Sequence, residues 1–177
     1  MYKKNIFILF FLLTNLPLLA QIGSTRAKIV LNFREQQSLV INHSTVELNL
    51  SKGKEYAQGV ETGILKNHVL VQCSTPYELT VRAVNGYFQY ENTLSTLPVS
   101  IIRIKPSFTT TPALDFPLQL QVVDLNVQPQ LILQSNNRGN SQQLDINYSI
   151  PIQKIGYTLN QKTGTYQTTV IYTLLPH

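Results

Sequence analysis

Cysteine and histidine are the side chains best suited to nucleophilic or metal chemistry, and the chain has few of them: Cys73, His43, His68 and His177. A thiolate nucleophile needs a base within hydrogen-bond reach. The nearest in sequence is His68, at the head of the run His68-Val-Leu-Val-Gln-Cys73. In an extended strand Val69, Val71 and Cys73 share one face, and an odd separation turns His68 to the other. On a regular strand a local Cys–His pair is therefore excluded, and Cys73 reads as a core residue. No two histidines stand at i,i+2 or i,i+4, so a zinc site would have to gather three or four ligands from scattered positions. The histidines read as turn or solvent residues.

The chain has 9 acidic residues. Asp115, Asp124 and Asp145 do not form a calcium-loop pattern, and the sequence contains no phosphate loop, Gly-x-Ser-x-Gly or His-Glu-x-x-His. A pair of glycosidase carboxylates far apart in the chain would escape such a search, which keeps a hydrolase as a remote third reading. No catalytic residue, metal or cofactor is expected, and the chain reads as a non-enzyme.

Aromatic side chains offer a recognition chemistry instead. Tyr77, Tyr87, Phe88 and Tyr90 gather around Asn85-Gly86, a dipeptide suited to a two-residue hairpin turn. Tyr87 and Tyr90, with Asn136 and Arg138 in the polar tract Ser135 to Gln143, are the candidate contacts for a glycan or protein partner. The plainer reading puts one ring set in the core and the other into cross-strand pairs. The lack of Trp weakens the glycan version.

The elements that must position these residues are strands. Gly164 to Leu175 places Tyr166, Thr168, Val170, Tyr172 and Leu174 on one side of an extended chain, with period two in β-branched and aromatic types. The same alternation predicts strands at Arg26–Phe33, Leu39–Ile41, Thr45–Leu50, His68–Ser74, Tyr77–Val84, Tyr87–Glu91 and Val99–Lys105, the last ended by Pro106. Leu118–Val127, Gln130–Gln134 and Leu144–Ile150 follow. Ser51 to Lys66 is expected to be a loop with one helical turn near Tyr56. Ser107 to Pro117, Ser135 to Gln143 and Gly156 to Gly164 are expected as surface connections, the second of them a hairpin loop. Nine or ten strands in one domain, on the strand-and-turn grammar above, imply an all-β fold: a single antiparallel immunoglobulin-like β-sandwich.

Residues 1–20 stand apart from that grammar. Lys3 and Lys4 precede an apolar run broken by Asn15 and Pro17, and Leu18-Leu19-Ala20 forms a small-residue exit, as in a cleaved signal peptide. The sandwich domain is then expected over 21–177, exported to the periplasm or outer cell surface of a bacterium, without a membrane span after cleavage. Removing Lys3 and Lys4 lowers the formal charge from +5 to +3. The remaining basic residues are scattered, which argues against a nucleic-acid partner. A single Cys permits no internal disulfide.

Several stretches together carry a resemblance. They are Glu55-Tyr-Ala-Gln-Gly-Val60, Asn67 to Thr75, Tyr77-Glu-Leu-Thr-Val-Arg-Ala83, Leu144-Asp-Ile-Asn-Tyr-Ser-Ile150 and Gly164 to Thr173. The chain resembles a group of exported bacterial β-sandwich proteins that are distantly similar to spore coat protein U domains and chaperone–usher pilins. The resemblance implies a surface or appendage role and carries over no catalytic residues. Pilin subunits lack their last strand and many carry a disulfide; here the last strand is intact. Ala27, Ile29, Leu31 and Phe33 could form a strand donated to a neighbour, although the intact last strand favours their being the domain's own first strand. The expected function is that of a non-catalytic structural or adhesive subunit working by protein–protein assembly. The alternative is a glycan- or protein-binding module that uses the aromatic hairpin.

Overall fold

The computed structural model describes residues 30–31, 36–51, 53–109, 118–136 and 140–177. The chain divides into two units, Met1–Phe33 and Arg34–His177. Of the first, Val30 and Leu31 are described; both lie outside any strand, and Leu31 is 73% exposed. The signal-peptide segment 1–20, Ala27, Ile29 and Phe33 of the expected strand, and Arg138 all lie outside the described residues.

The second unit is an all-β antiparallel sandwich. Its elements in chain order are β1 (Gln37–Ile41), α1 (Gly53–Gln58), β2 (Val60–Glu61), β3 (Leu65–Cys73), β4 (Tyr77–Ala83), β5 (Tyr87–Tyr90), β6 (Thr93–Pro98), β7 (Arg103–Phe108), β8 (Gln119–Leu120), β9 (Val123–Asp124), β10 (Gln130–Ser135), β11 (Asn140–Ile150), α2 (Ile152–Ile155), β12 (Tyr166–Gln167) and β13 (Val170–Pro176). A six-stranded sheet runs β1-β3-β11-β7-β9, with β2 paired to the end of β11. A four-stranded sheet runs β13-β4-β10-β8, and a small third sheet runs β12-β5-β6.

Period two decides what is buried. Val69, Val71 and Cys73 of β3, Leu144, Ile146, Tyr148 and Ile150 of β11, and Tyr77, Leu79, Val81 and Ala83 of β4 belong to one core cluster with Ile104, Ile132 and Leu133. Each such aliphatic side chain contributes about 1.5–3 kcal/mol by leaving water. The expected inner row of the last strand holds as well, since Tyr166, Val170, Tyr172 and Leu174 pack against the core.

The connections between strands depart from the local reading in several places. Asn85-Gly86 does not turn a hairpin: β4 pairs with β10 and β13, whereas β5 leaves for the third sheet and pairs with β6 and β12. The two-residue turn is Glu91-Asn92, where φ is 47° and 64°, the left-handed pair a type I′ turn requires. The tract after β10 is likewise a crossing between sheets, because β10 and β11 belong to different ones and β11 already begins at Asn140. Pro106 does not end its strand; it lies within β7 opposite Ile146. β9 pairs only with Arg103 and Ile104, so among the described residues nothing pairs with the far edge of β7 beyond them, and a proline nitrogen there removes no ladder bond. Thr45 to Leu50 alternates as expected, with Val46, Leu48 and Leu50 half-buried, yet it pairs with no strand among the described residues. The last strand is divided between two sheets, β12 against β5 and β13 against β4.

Candidate functional site

The local geometry turns on an irregularity in β3. Leu65 pairs with Ile146 and Val69 with Leu144, which leaves Lys66, Asn67 and His68 opposite the single residue Asp145. Asn67 takes φ 51°, a left-handed conformation that Asn tolerates better than most residues. The buried Asp145 carboxylate fills the bulge: Oδ1 accepts the Asn67 backbone N–H at 2.8 Å, and Oδ2 accepts Lys66 Nζ at 2.8 Å. Thr109 Oγ1 donates to the same carboxylate and lies 3.0 Å from Asn67 Oδ1.

This bulge overturns the parity argument for His68. The side chain is buried, at 1% exposure, instead of facing out. A regular strand cannot turn both His68 and Val69 to the same face, and the extra residues at Asn67 are what permit it. Cys73 lies on the regular part of β3, and there the expectation holds: it is fully buried, and its Sγ stands 3.5 Å from Thr75 Oγ1.

Buried polar rings then line up between the two large sheets. His68 Nε2 is 2.9 Å from Tyr148 Oη on β11, and Tyr148 Oη shares a hydrogen bond with Tyr172 Oη on β13. At the other end His68 Nδ1 is 3.2 Å from Nδ1 of His43, an exposed residue that follows β1. The rings of His68 and Tyr148 meet edge-on, with centroids 5.6 Å apart. Desolvation, and then the neighbouring His43, pull the His68 pKa down from 6.5 to about 4, so its imidazole is neutral at physiological pH. Burial pushes the Tyr148 phenol up to about 12 despite its bond to Tyr172. Burial and the neighbouring Tyr148 raise Tyr172 well above the ordinary phenol value. Four side chains thus form a hydrogen-bonded file from the surface to the interior.

The sequence reading missed this file because its members are far apart in the chain. A clue was present: Asn is depleted in strands, and Asn67 stands beside His68, while Asp145 sits between two core residues, Leu144 and Ile146.

The residues proposed for partner contact are not brought together as a set. Tyr87 is half exposed on β5. Tyr90 is occupied internally: its Oη donates to the Thr163 carbonyl at 3.1 Å, and its ring lies 4.9 Å from that of Tyr166. Phe88, between them, is buried, which matches the reading of one ring set in the core. Asn136 is exposed just after β10, and no contact between it and the hairpin is seen among the described residues. Beside Tyr90 an open cleft of about 280 Å³ is lined by Gln89, Glu91, Asn92, Thr165 and Gln167. Among the described residues, no helix is long and apolar enough to cross a membrane. The chain matches no protein-family model and no curated protein.

Proposed function

We propose that the protein is a non-catalytic structural or adhesive subunit that joins its neighbours by strand-edge pairing. The observation that supports this most is the character of its long sheet edges. β8 and β9 close their sheets with two-residue strands, one of the devices by which sheets avoid pairing with other chains. β1, Gln37-Ser-Leu-Val-Ile41, is an outer strand without a charge or a proline, and Val40 and Ile41 remain exposed on it. β13 is the outer strand of the second sheet, also uncharged, with proline only at its last position. His43, directly after β1, and Tyr172 of β13 both approach His68, so the two uncharged edges flank the same side of the sandwich. Among the described residues no strand pairs with the outer side of either, so an extended segment of another subunit would find backbone donors and acceptors there.

Membership of the exported sandwich group, and residence in the periplasm or on the outer surface of a bacterium, belong to the same proposal. Sedimentation across a range of concentrations tests it. The protein is expected to form ladders or filaments that disappear in Val40→Lys, or on deletion of Gln21 to Phe33, with the fold retained. A wild-type monomer at high concentration overturns the reading.

The cleft beside Tyr90 favours a second reading, a glycan- or protein-binding module. Its amide and carboxylate lining suits hydroxyl-rich ligands, and Tyr87, on the same strand as Gln89 and Tyr90, supplies an exposed ring. Binding on a glycan or partner screen that is lost in Tyr87→Ala, with folding intact, is the result this reading requires.

A further inference from the structure

His43 and His68 come from separate segments, yet their Nδ1 atoms face each other at 3.2 Å, with ring centroids 5.3 Å apart and planes 30° apart. A hydrogen bond between two ring nitrogens holds one hydrogen: one nitrogen donates and the other offers its lone pair. The second nitrogen of His68 is already committed, since Nε2 is 2.9 Å from Tyr148 Oη and Tyr148 shares its hydroxyl with Tyr172. A charged His43 can still donate to a neutral His68. With a proton added to His68 as well, N–H meets N–H between two imidazolium rings, and the contact is lost.

The groups around His68 offer that second charge no relief. Tyr148 of β11 and Tyr172 of β13 are phenols kept protonated by burial. At the bulge, the Asp145 carboxylate is taken by Lys66, Thr109 and the Asn67 N–H. Glu47, on the segment that carries His43, is exposed. His43 is the charged neighbour that acts on His68, and it opposes a charge there.

The two partners are held very differently. His68 is packed between the sheets at 1% exposure. His43 is exposed, at the start of a stretch to Leu50 that pairs with no strand among the described residues. Asn42 ties the junction to β3, its N–H donating to the His68 carbonyl at 2.9 Å and its Nδ2 to the Asn67 carbonyl at 2.6 Å. β1 adds little burial, since only Leu39 on it is even half-buried. When the pair is doubly charged, the His43 side gives way and the core does not.

We propose that the His43–His68 contact is an acid-sensitive latch: a second proton on the pair breaks it and lifts residues 42–50 from the edge of β3, while the rest of the sandwich stays folded. Once open, His68 Nδ1 meets water and its pKa returns toward 6.5, from about 4 in the closed latch. The open form then binds more protons than the closed one, so opening is favoured as the pH falls below 6.5 and levels off below about 4. Each pH unit in that window raises the open population by up to about tenfold. The window lies above that of Asp145, whose carboxyl in the folded protein titrates below 3.8. The latch stands independently of the strand-edge proposal.

Hydrogen exchange followed by NMR on the purified protein is the test, with each amide rate divided by its intrinsic rate at that pH. Protection of the Asn42 N–H is expected to fall by about 10–100-fold between pH 6.5 and 4.5, while amides of the β4–β10 ladder keep theirs. His43→Ala changes an exposed residue, and should leave Asn42 poorly protected already at pH 7 with little further response to acid. Asp145→Asn should retain the full response. Asn42 protection that stays flat over this range, or a response of the same size in His43→Ala, would overturn the latch. Loss of protection by the β4–β10 amides in step with Asn42 would also overturn it, since the whole domain would then be unfolding.

Discussion

The Asp145 carboxylate accepts the backbone N–H of Asn67 at 2.8 Å, the one residue of β3 whose φ is positive. That contact links a buried charge on β11 to the bulge that turns His68 inward. Without it the Asn67 N–H has no ladder partner, and the backbone loses its reason to remain left-handed.

Asp145→Ala is therefore expected to cost about 1–3 kcal/mol, the usual penalty for stranding a buried donor. Urea denaturation measures it. Because Lys66 is largely exposed and recovers water, the cost comes from the Asn67 N–H and Thr109 more than from the lost ion pair. Lys66→Ala should accordingly cost well under half as much.

Acid stability should carry the same signature. Burial by itself raises the Asp145 pKa, but hydrogen bonds from Lys66, Thr109 and the Asn67 N–H outweigh it and hold the carboxyl below its usual 3.8. The unfolded chain then takes up a proton at higher pH than the folded one. Stability from this group is complete above 3.8 and falls as the pH drops through and below it. Thermal melts from pH 5 downward should show that loss in the wild type and less of it in Asp145→Asn.

Gly59 sits after α1 at φ 84°, and a Cβ there would lie 2.6 Å from the Ile150 carbonyl oxygen. A backbone atom at the end of β11 cannot swing away as a side chain can. Gly59→Ala should destabilise the fold by roughly 2 kcal/mol or more, through the left-handed φ and the clash together. A Tm lowered by less than a degree would show that the junction between α1 and β2 yields more easily.

Cys73 is expected to resist thiol reagents in the folded protein and to react at once in denaturant. Cys73→Ser should cost about 1–3 kcal/mol, because a hydroxyl is harder to bury than a thiol. Fast labelling under native conditions would contradict its place in the core.

Val40→Lys tests the edge of β1 without touching the core. Its effect on folding free energy should stay within about 0.5 kcal/mol, as for other exposed positions, while assembly measured by light scattering is lost.

By itself the sequence determined the strand-forming segments and much of the buried row on each, because side-chain alternation is a local property that hydrophobic burial reads directly. Val69, Val71 and Cys73 inward, and Val170, Tyr172 and Leu174 inward, follow from spacing alone. Tertiary structure decided which strands are partners. Asn85-Gly86 has the chemistry of a hairpin turn, yet β4 finds a better face against β10 and β13, and the turn passes to Glu91-Asn92. It also decided the orientation of His68: parity holds only where each residue faces one partner, and Asp145 faces three. The His43–His68–Tyr148–Tyr172 file exists only because three strands far apart in the sequence and a loop converge, and pairings at such separation leave no mark in local spacing.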